Sequence, residues 1–166
     1  SVSWDKTLKV WDLYWMSETA TLFNAPSLLS VVAMTPDGHV GVSETGNDLM
    51  VWDLDTLERK GVLKGRSGSI DSLALTPDGH FAVSGSEDKT IRIWDLNSMQ
   101  PYAVLEGSGD EIHSVAMTSD AKTVFSGCED HTIRAWDIRT GKETRKIDAH
   151  SNAISGLAVT TDGHTL

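Results

Sequence analysis

The sequence has one cysteine, Cys128, no long apolar run and few basic residues. A single cysteine excludes an internal disulfide framework, and no Asn-x-Ser/Thr acceptor occurs, so the composition favours a reducing, cytoplasmic location. The longest wholly apolar stretches, such as 31–34, are far too short for a transmembrane helix. With 14 Lys and Arg against 24 Asp and Glu, the formal charge of −10 argues against binding to nucleic acid or to an anionic membrane.

The rest of the composition is that of an ordinary folded protein. Hydrophobic residues make up 39% of the chain and charged residues 23%. A chain of 166 residues is long enough to bury a hydrophobic core, so the composition excludes an intrinsically disordered protein.

A repeat of about forty residues runs through the whole chain. The dipeptide Trp-Asp begins at Trp11, Trp52, Trp94 and Trp136, with spacings of 41, 42 and 42 residues. A second motif, Thr-Pro-Asp-Gly-His, begins at positions 35 and 76 and is echoed from positions 118 and 160, at the same three spacings. Two independent motifs that share one period indicate a repeat architecture.

Within one repeat unit, short segments of alternating apolar and polar residues are separated by turn residues. Residues 70–75, 81–86, 90–94 and 101–105 follow this pattern, and Pro77-Asp78-Gly79 forms a strong turn signal between the first two. Alternation with a period of two predicts strands rather than helices. Four short antiparallel strands in every unit predict the blades of an all-β propeller.

The segment 84–95, Ser-Gly-Ser-Glu-Asp-Lys-Thr-Ile-Arg-Ile-Trp-Asp, resembles the WD40 repeat, and so do residues 126–137 and 1–12. The resemblance covers the full chain and implies a β-propeller of four-stranded antiparallel blades. One departure concerns the Gly-His pair that usually opens the repeat. It falls at 24–25, 65–66, 107–108 and 149–150, and only the last of these keeps the histidine.

The repeat count predicts four blade units, one of which is split between the two ends of the chain. The units are 14–54, 55–96, 97–138, and 139–166 joined with 1–13. WD40 propellers usually have seven or eight blades, and each blade depends on its neighbours to bury its faces. Three completions remain open: a homodimer that forms an eight-bladed ring, further blades from a longer parent chain, or a closed four-bladed ring. The first two fit the family better.

The resemblance also implies a buried hydrogen-bond chain in each blade, from Trp to Ser to His to Asp. We expect this tetrad to be structural, because it recurs in every blade whereas a catalytic triad occurs once. Where Arg66 or Ser108 replaces the histidine, we expect a backbone N–H or the turn to satisfy the buried Asp. The tetrad residues are Ser1, Asp5, Trp11 and His150 in the split unit, Ser84, Asp88 and Trp94 in the unit 55–96, and Ser126, Asp130 and Trp136 in the unit 97–138.

No other motif predicts catalysis, a cofactor or a metal. The six histidines are spread over the repeats, and three of them lie in the same turn of different units, whereas a metal site needs three or four converging ligands. The glycine-rich stretches 65–68 and 107–110 lack the Lys-Ser/Thr pair of a phosphate-binding loop. We therefore predict that the chain is not an enzyme.

The predicted interaction surface is the rim around the central channel, a common docking face in WD40 proteins. Acidic side chains with one tryptophan suit a basic or Arg-bearing peptide, although acidic turns also serve solubility. A second candidate is the aromatic segment 14–16, which could equally take part in packing between blades. The rim positions carried over from the family are Trp4, Asp71, Glu87, Glu111, His113 and Glu129.

The sequence thus predicts a non-catalytic WD40 scaffold for protein–protein interaction. The alternative is that the chain is the sensor or scaffold region of a larger signalling enzyme, a kinase or an NTPase, whose catalytic domain lies outside these residues.

Overall fold

The computed structural model describes residues 1–24, 28–160 and 162–166. Ala25, at one of the Gly-His positions, and Thr161, in the fourth copy of the Thr-Pro-Asp-Gly motif, lie outside the described residues. The described part of the chain contains no helix and 14 strands. They are β1 (Thr7–Asp12), β2 (Ser17–Asn24), β3 (Val32–Met34), β4 (Val40–Thr45), β5 (Asp48–Asp53), β6 (Glu58–Leu63), β7 (Ile70–Leu75), β8 (Phe81–Ser86), β9 (Ile91–Asp95), β10 (Gln100–Leu105), β11 (Ile112–Met117), β12 (Thr123–Cys128), β13 (Thr132–Asp137) and β14 (Lys142–Asp148).

The strands form antiparallel sheets in simple chain order. We call β1–β2 blade 1, β3–β6 blade 2, β7–β10 blade 3 and β11–β14 blade 4; blade 1 has two strands and the others have four each. The four strands predicted between residues 70 and 105 are confirmed as β7 to β10. The architecture is that of all-β propeller blades, and no pairing among the described strands joins blade 1 to blade 4.

In blades 2, 3 and 4 the turn between the first two strands is held by side chains of a Thr-x-Asp motif, which glycine follows in blades 2 and 3. In blade 3, the N–H of Gly79 donates to the carbonyl of Thr76 over 3.0 Å, and Gly79 has a φ of +68°. The N–H of His80 donates to Asp78 Oδ1, and the N–H of Phe81 donates to Thr76 Oγ1, each over 3.0 Å. Glycine is favoured here because positive φ strains other residues.

The inner strands of neighbouring blades approach closely at a glycine. A Cβ placed on Gly85 would lie 2.6 Å from Ile112 Cγ2, and one on Gly127 would lie 2.5 Å from Ile154 Cγ2. Both distances are too short for any side chain, so these glycines allow the next blade to pack. The main core lies between blades 3 and 4 and includes Val83, Ile91, Ile93, Leu105, Ile112, Val115, Val124 and Trp136.

Residues beyond β14 continue the pattern against blade 4. The N–H of Ile154 donates to the carbonyl of Cys128 over 3.3 Å, and a turn between Thr160 and Thr165 repeats the Thr-x-Asp-Gly geometry. No strand is assigned in 154–160. The polar groups of this segment are therefore not part of a sheet ladder among the described residues.

Candidate functional site

Arg66 takes the place of the tetrad histidine in blade 3. Trp94 Nε1 donates to Ser84 Oγ over 2.8 Å, and Arg66 donates to the same oxygen through Nε (3.1 Å) and Nη2 (2.8 Å). Arg66 Nη1 also donates to Asp88 Oδ1 over 2.9 Å. The N–H and hydroxyl of Thr90 donate to that oxygen as well, which is the turn donor expected from the sequence. Arg66 itself is the link between Ser84 and Asp88, and the sequence analysis missed it.

The charge of Arg66 is fully enclosed. Its side chain is 0% exposed. Burial is the main cause that lowers the pKa of Arg66, to about 10, with the Arg92 guanidinium adding to the shift and Asp88 opposing it. Arg66 therefore stays positively charged at neutral pH, and Asp88 is the anion that compensates it.

Blade 4 satisfies the equivalent aspartate from a strand, whereas Arg66 of blade 3 lies in a loop. Trp136 Nε1 donates to Ser126 Oγ over 3.0 Å, but Ser108 at the histidine position donates only to backbone carbonyls. Arg134 on β13 supplies the charge instead, and its Nη2 donates to Asp130 Oδ2 over 2.8 Å. Burial alone would raise the pKa of Asp130, but hydrogen bonds from Thr132 and Arg134 outweigh burial and hold it at about 2.

The tetrad of the split unit is assembled only in part. Trp11 Nε1 donates to Ser1 Oγ over 2.9 Å, and Asp5 Oδ1 accepts from the N–H and hydroxyl of Thr7. His150 lies beyond β14, and within the described residues no hydrogen bond joins its side chain to Ser1 or Asp5. Trp11 is 46% exposed, whereas Trp136 is 1% exposed.

Blade 2 departs from the repeat at Glu44, which the sequence analysis did not single out. Trp52 Nε1 donates to Ser43 Oγ over 3.0 Å, so half of the tetrad survives. Glu44 occupies the position of Gly85 in blade 3, and it is buried. Its Oε1 accepts from the N–H (2.5 Å) and the hydroxyl (2.6 Å) of Ser30. A carboxylate at a repeat position that carries glycine in blades 3 and 4 and valine in the split unit is the signal that could have identified it.

At the rim, His113 joins blades 3 and 4. Its Nδ1 lies 3.2 Å from Asp71 Oδ2 on β7, and its Nε2 lies 2.8 Å from Glu129 Oε2 in the turn between β12 and β13. A second link lies beside it, where the N–H of Val115 donates to Ser72 Oγ over 3.0 Å. Three of the six predicted rim residues, Asp71, His113 and Glu129, are therefore in direct contact.

The other three predicted rim residues, Glu87, Glu111 and Trp4, lie at different places relative to this contact. Asp71, Glu87 and Glu44 line one cleft of about 410 Å³ between blades 2 and 3. Glu111 is joined to Glu129 by a backbone hydrogen bond of 3.0 Å. Trp4 is 74% exposed in the turn before β1, and among the described residues no hydrogen bond joins its side chain to the acidic group.

Burial and neighbouring groups shift the pKa values of Asp71 and His113 at the rim. Burial raises the pKa of Asp71, and the neighbouring Glu87 raises it further, whereas the hydrogen bond with His113 opposes the rise. For His113, burial lowers the pKa, but the hydrogen bonds to Glu129 and Asp71 outweigh burial and leave it raised. The imidazolium form is therefore the one that the rim favours.

We expect the His113 contact to make stability depend on pH. Because the folded-state pKa lies above the ordinary value of 6.5, the contact is fully stabilising below that value and is lost as pH rises through the raised pKa. The pair is partly exposed, so the loss should be about 1 kcal/mol, or roughly 2–4 °C in Tm. The check is the thermal unfolding midpoint of the wild type and of His113→Gln between weakly acidic and weakly alkaline pH.

The matched control for this measurement is His164→Gln, which changes an exposed histidine in a turn outside the rim. That variant should retain the pH dependence of the wild type. A His113→Gln protein whose midpoint follows the wild-type curve at every pH would contradict the stabilising role of the contact.

Comparison with known protein families finds a match for two stretches of the chain. A family model described as WD domain, G-beta repeat, matches residues 57–95 and 99–137. Each match spans the outermost strand of one blade and the first three strands of the next. No curated protein matches the chain.

Among the described residues, no group of three or more His, Cys, Asp or Glu side chains could hold a metal ion. The same residues include no helix that is long and apolar enough to cross a membrane.

Proposed function

The chain carries WD40 repeats, and from this premise we propose that it is a non-catalytic scaffold that binds a protein partner through its acidic rim. WD40 repeats generally mediate protein–protein interaction, and the blades provide a rigid frame for the rim. The observation that carries the proposal is the group of carboxylates around His113, which spans the boundary between two blades.

The chemistry of the rim favours a basic peptide. Glu44, Asp71 and Glu87 line one cleft, so a guanidinium placed there would meet carboxylates from two blades. Arg binds carboxylates with two parallel hydrogen bonds, which gives both strength and orientation. The exposed indole of Trp4 offers a flat surface on which a second cationic side chain could stack.

Reversal of charge at the rim is expected to weaken this binding. With a fluorescein-labelled hexa-arginine peptide as the probe, Glu87→Lys/Glu129→Lys should raise the Kd by at least about tenfold, because attraction becomes repulsion at both sides of the His113 contact. Fluorescence anisotropy measures the Kd, and near-UV circular dichroism checks that the variant remains folded.

The matched control changes the net charge by the same amount elsewhere. Glu58 begins β6 and Glu106 follows β10, and both side chains are exposed. Glu58→Lys/Glu106→Lys should leave the Kd within about twofold of the wild type at 0.15 M salt, where charges that are far apart are screened. An equal loss of affinity in both double variants would show that net charge alone governs binding, against the rim proposal.

The pairing of two copies into an eight-bladed ring stays a prediction, as does its alternative of further blades in a longer parent chain. What supports either completion is that β1 pairs with one strand only, apart from Ser1 and Val2 beside Leu8 and Lys9, and that no strand is assigned in 154–160 among the described residues. Both edges could pair with strands of another blade.

A further inference from the structure

The turn between β1 and β2 carries two fully presented aromatic side chains. Tyr14 is 83% exposed and Trp15 is 74% exposed, and their ring centroids lie 4.8 Å apart at an interplanar angle of 86°. The turn is held firmly, because Asp12 Oδ1 accepts from the N–H of Tyr14 (2.8 Å) and from that of Trp15 (2.9 Å). A rigid backbone therefore presents an aromatic pair to solvent.

Packing between blades does not account for this pair. The same two positions in the later repeats are 55–56, 97–98 and 139–140, and their residues are Asp-Thr, Asn-Ser and Arg-Thr. All six are exposed, although the turn at 97–98 belongs to blade 3, which lies between two four-stranded blades in chain order, and the turn at 139–140 belongs to blade 4, which follows one. The position before the pair behaves differently: Leu96 and Ile138 are buried in blades 3 and 4, Leu54 is half-buried in blade 2, and Leu13 is 82% exposed in blade 1. Aromatic residues thus stand where the fold requires only a polar, exposed residue.

The surroundings of the pair are strongly acidic. Turns of two kinds are counted here: the four Thr-x-Asp turns that begin at residues 35, 76, 118 and 160, and the four turns that follow the Trp-Asp pairs. Across these turns, nine carboxylates stand against two basic side chains, Lys122 and Arg139, and three histidines, of which His39 pairs with Asp55 over 2.7 Å. The nine are Asp12, Asp37, Asp53, Asp55, Asp78, Asp95, Asp120, Asp137 and Asp162.

Most of these carboxylates are fixed in the anionic form. Hydrogen bonds from Thr118 and Lys122 lower the pKa of Asp120 to about 2, and hydrogen bonds from turn residues also lower the pKa of Asp37, Asp53, Asp78, Asp95, Asp137 and Asp162. The face keeps its negative charge at any pH near neutrality. It therefore attracts cations and repels anionic lipid surfaces.

We propose that Tyr14 and Trp15 form a second docking site, which binds an arginine- or lysine-bearing peptide by cation–π contact within this acidic face. A cation over an aromatic ring is stabilised by the ring quadrupole, and the neighbouring carboxylates add long-range attraction. The site does not depend on the rim. The turn before β1 and the turn after it lie at opposite ends of a strand of six residues, which spans about 20 Å.

The test removes the aromatic pair without altering the turn. Tyr14→Asn/Trp15→Ser gives this turn the residues of positions 97–98 and keeps the Asp12 cap. The variant is made in the Glu87→Lys/Glu129→Lys protein, so that binding at the rim is already weakened. With fluorescein-labelled hexa-arginine, the remaining affinity should fall by about tenfold. An unchanged Kd would overturn the proposal.

The two proposals fail separately in this design. If the rim variant alone binds hexa-arginine like the wild type, the rim proposal is wrong, and the effect of Tyr14→Asn/Trp15→Ser still decides the second site. A reverse graft, Asn97→Tyr/Ser98→Trp in the variant that lacks Tyr14 and Trp15, should restore binding, because Asp95 holds that turn in the same way. Absence of any restored binding would contradict the aromatic pair as the recognition element.

Other occupants of the site give different results. If Tyr14→Asn/Trp15→Ser leaves hexa-arginine binding intact but lowers the solution mass measured by light scattering, the pair serves contact between copies of the chain. If it instead abolishes sedimentation with phosphatidylcholine vesicles, the pair serves a membrane surface. Either result, with unchanged peptide affinity, overturns the proposal.

Discussion

Replacement of Arg66 by methionine is expected to destabilise the chain by about 3–5 kcal/mol. The methionine removes the only cation that hydrogen-bonds to Asp88 among the described residues and leaves a carboxylate whose side chain is 6% exposed without its partner. Ser84 also loses two donors, although Trp94 still bonds to it. The free energy of unfolding in urea, compared with that of the wild type, measures the effect.

Two further variants separate the charge from the packing of the side chain. Arg66→Met/Asp88→Asn should recover much of the loss, because asparagine retains an oxygen for Thr90 but carries no charge to compensate. Arg66→His restores the residue usual at this position of the repeat and should cost less than Arg66→Met. If Arg66→Met changes stability by less than about 1 kcal/mol, the buried ion pair is not a structural element of blade 3.

Truncation of Trp136 to alanine is expected to cost about 3–5 kcal/mol, whereas the same change at Trp11 should cost far less. The two residues hold the same repeat position, but Trp136 is buried in the core between blades 3 and 4 while Trp11 is nearly half exposed. Chemical denaturation of both variants measures the difference. Trp136→Phe, which keeps most of the ring volume, isolates the hydrogen bond to Ser126 and should cost about 1 kcal/mol beyond the smaller packing loss.

Equal effects at Trp136 and Trp11 would contradict the burial argument. Such a result would mean that Trp11 is buried in solution by residues other than its described neighbours. The comparison therefore also reports on how blade 1 is completed, since a covered Trp11 requires a blade on its open side.

The periodic part of the fold is readable in the sequence because it depends on local patterns. The strands between residues 70 and 105 alternate between apolar and polar residues, and their turns carry Pro, Asp and Gly, so both the strands and their order follow from the chain itself. The trait shared by all four repeats, Trp-Asp at a fixed interval, then identifies the family.

The contacts that make the candidate site depend on geometry that the repeat pattern does not carry. An alignment of the repeats shows only that Arg66 replaces the usual histidine. In the structure, its long side chain hydrogen-bonds to both Ser84 and Asp88. The contact of His113 with Asp71 joins residues 42 positions apart in different blades, and its existence depends on how the blades pack. Side-chain reach and blade packing are tertiary properties, so the sequence could propose the rim residues but not their connections.

Because of the glycine contacts between blades, one repeat unit can pack against another copy of itself. The unit 97–138 carries both Ile112, which packs against Gly85 of the blade before it, and Gly127, which makes room for Ile154 after it. A duplicated or deleted copy of that unit would therefore bring matching surfaces to both new neighbours. Glu44 breaks this equivalence, because blade 2 presents a buried carboxylate to the following blade where its successors present glycine. The array can change in length among its later repeats more easily than at the junction of blades 2 and 3, where the acidic cleft lies.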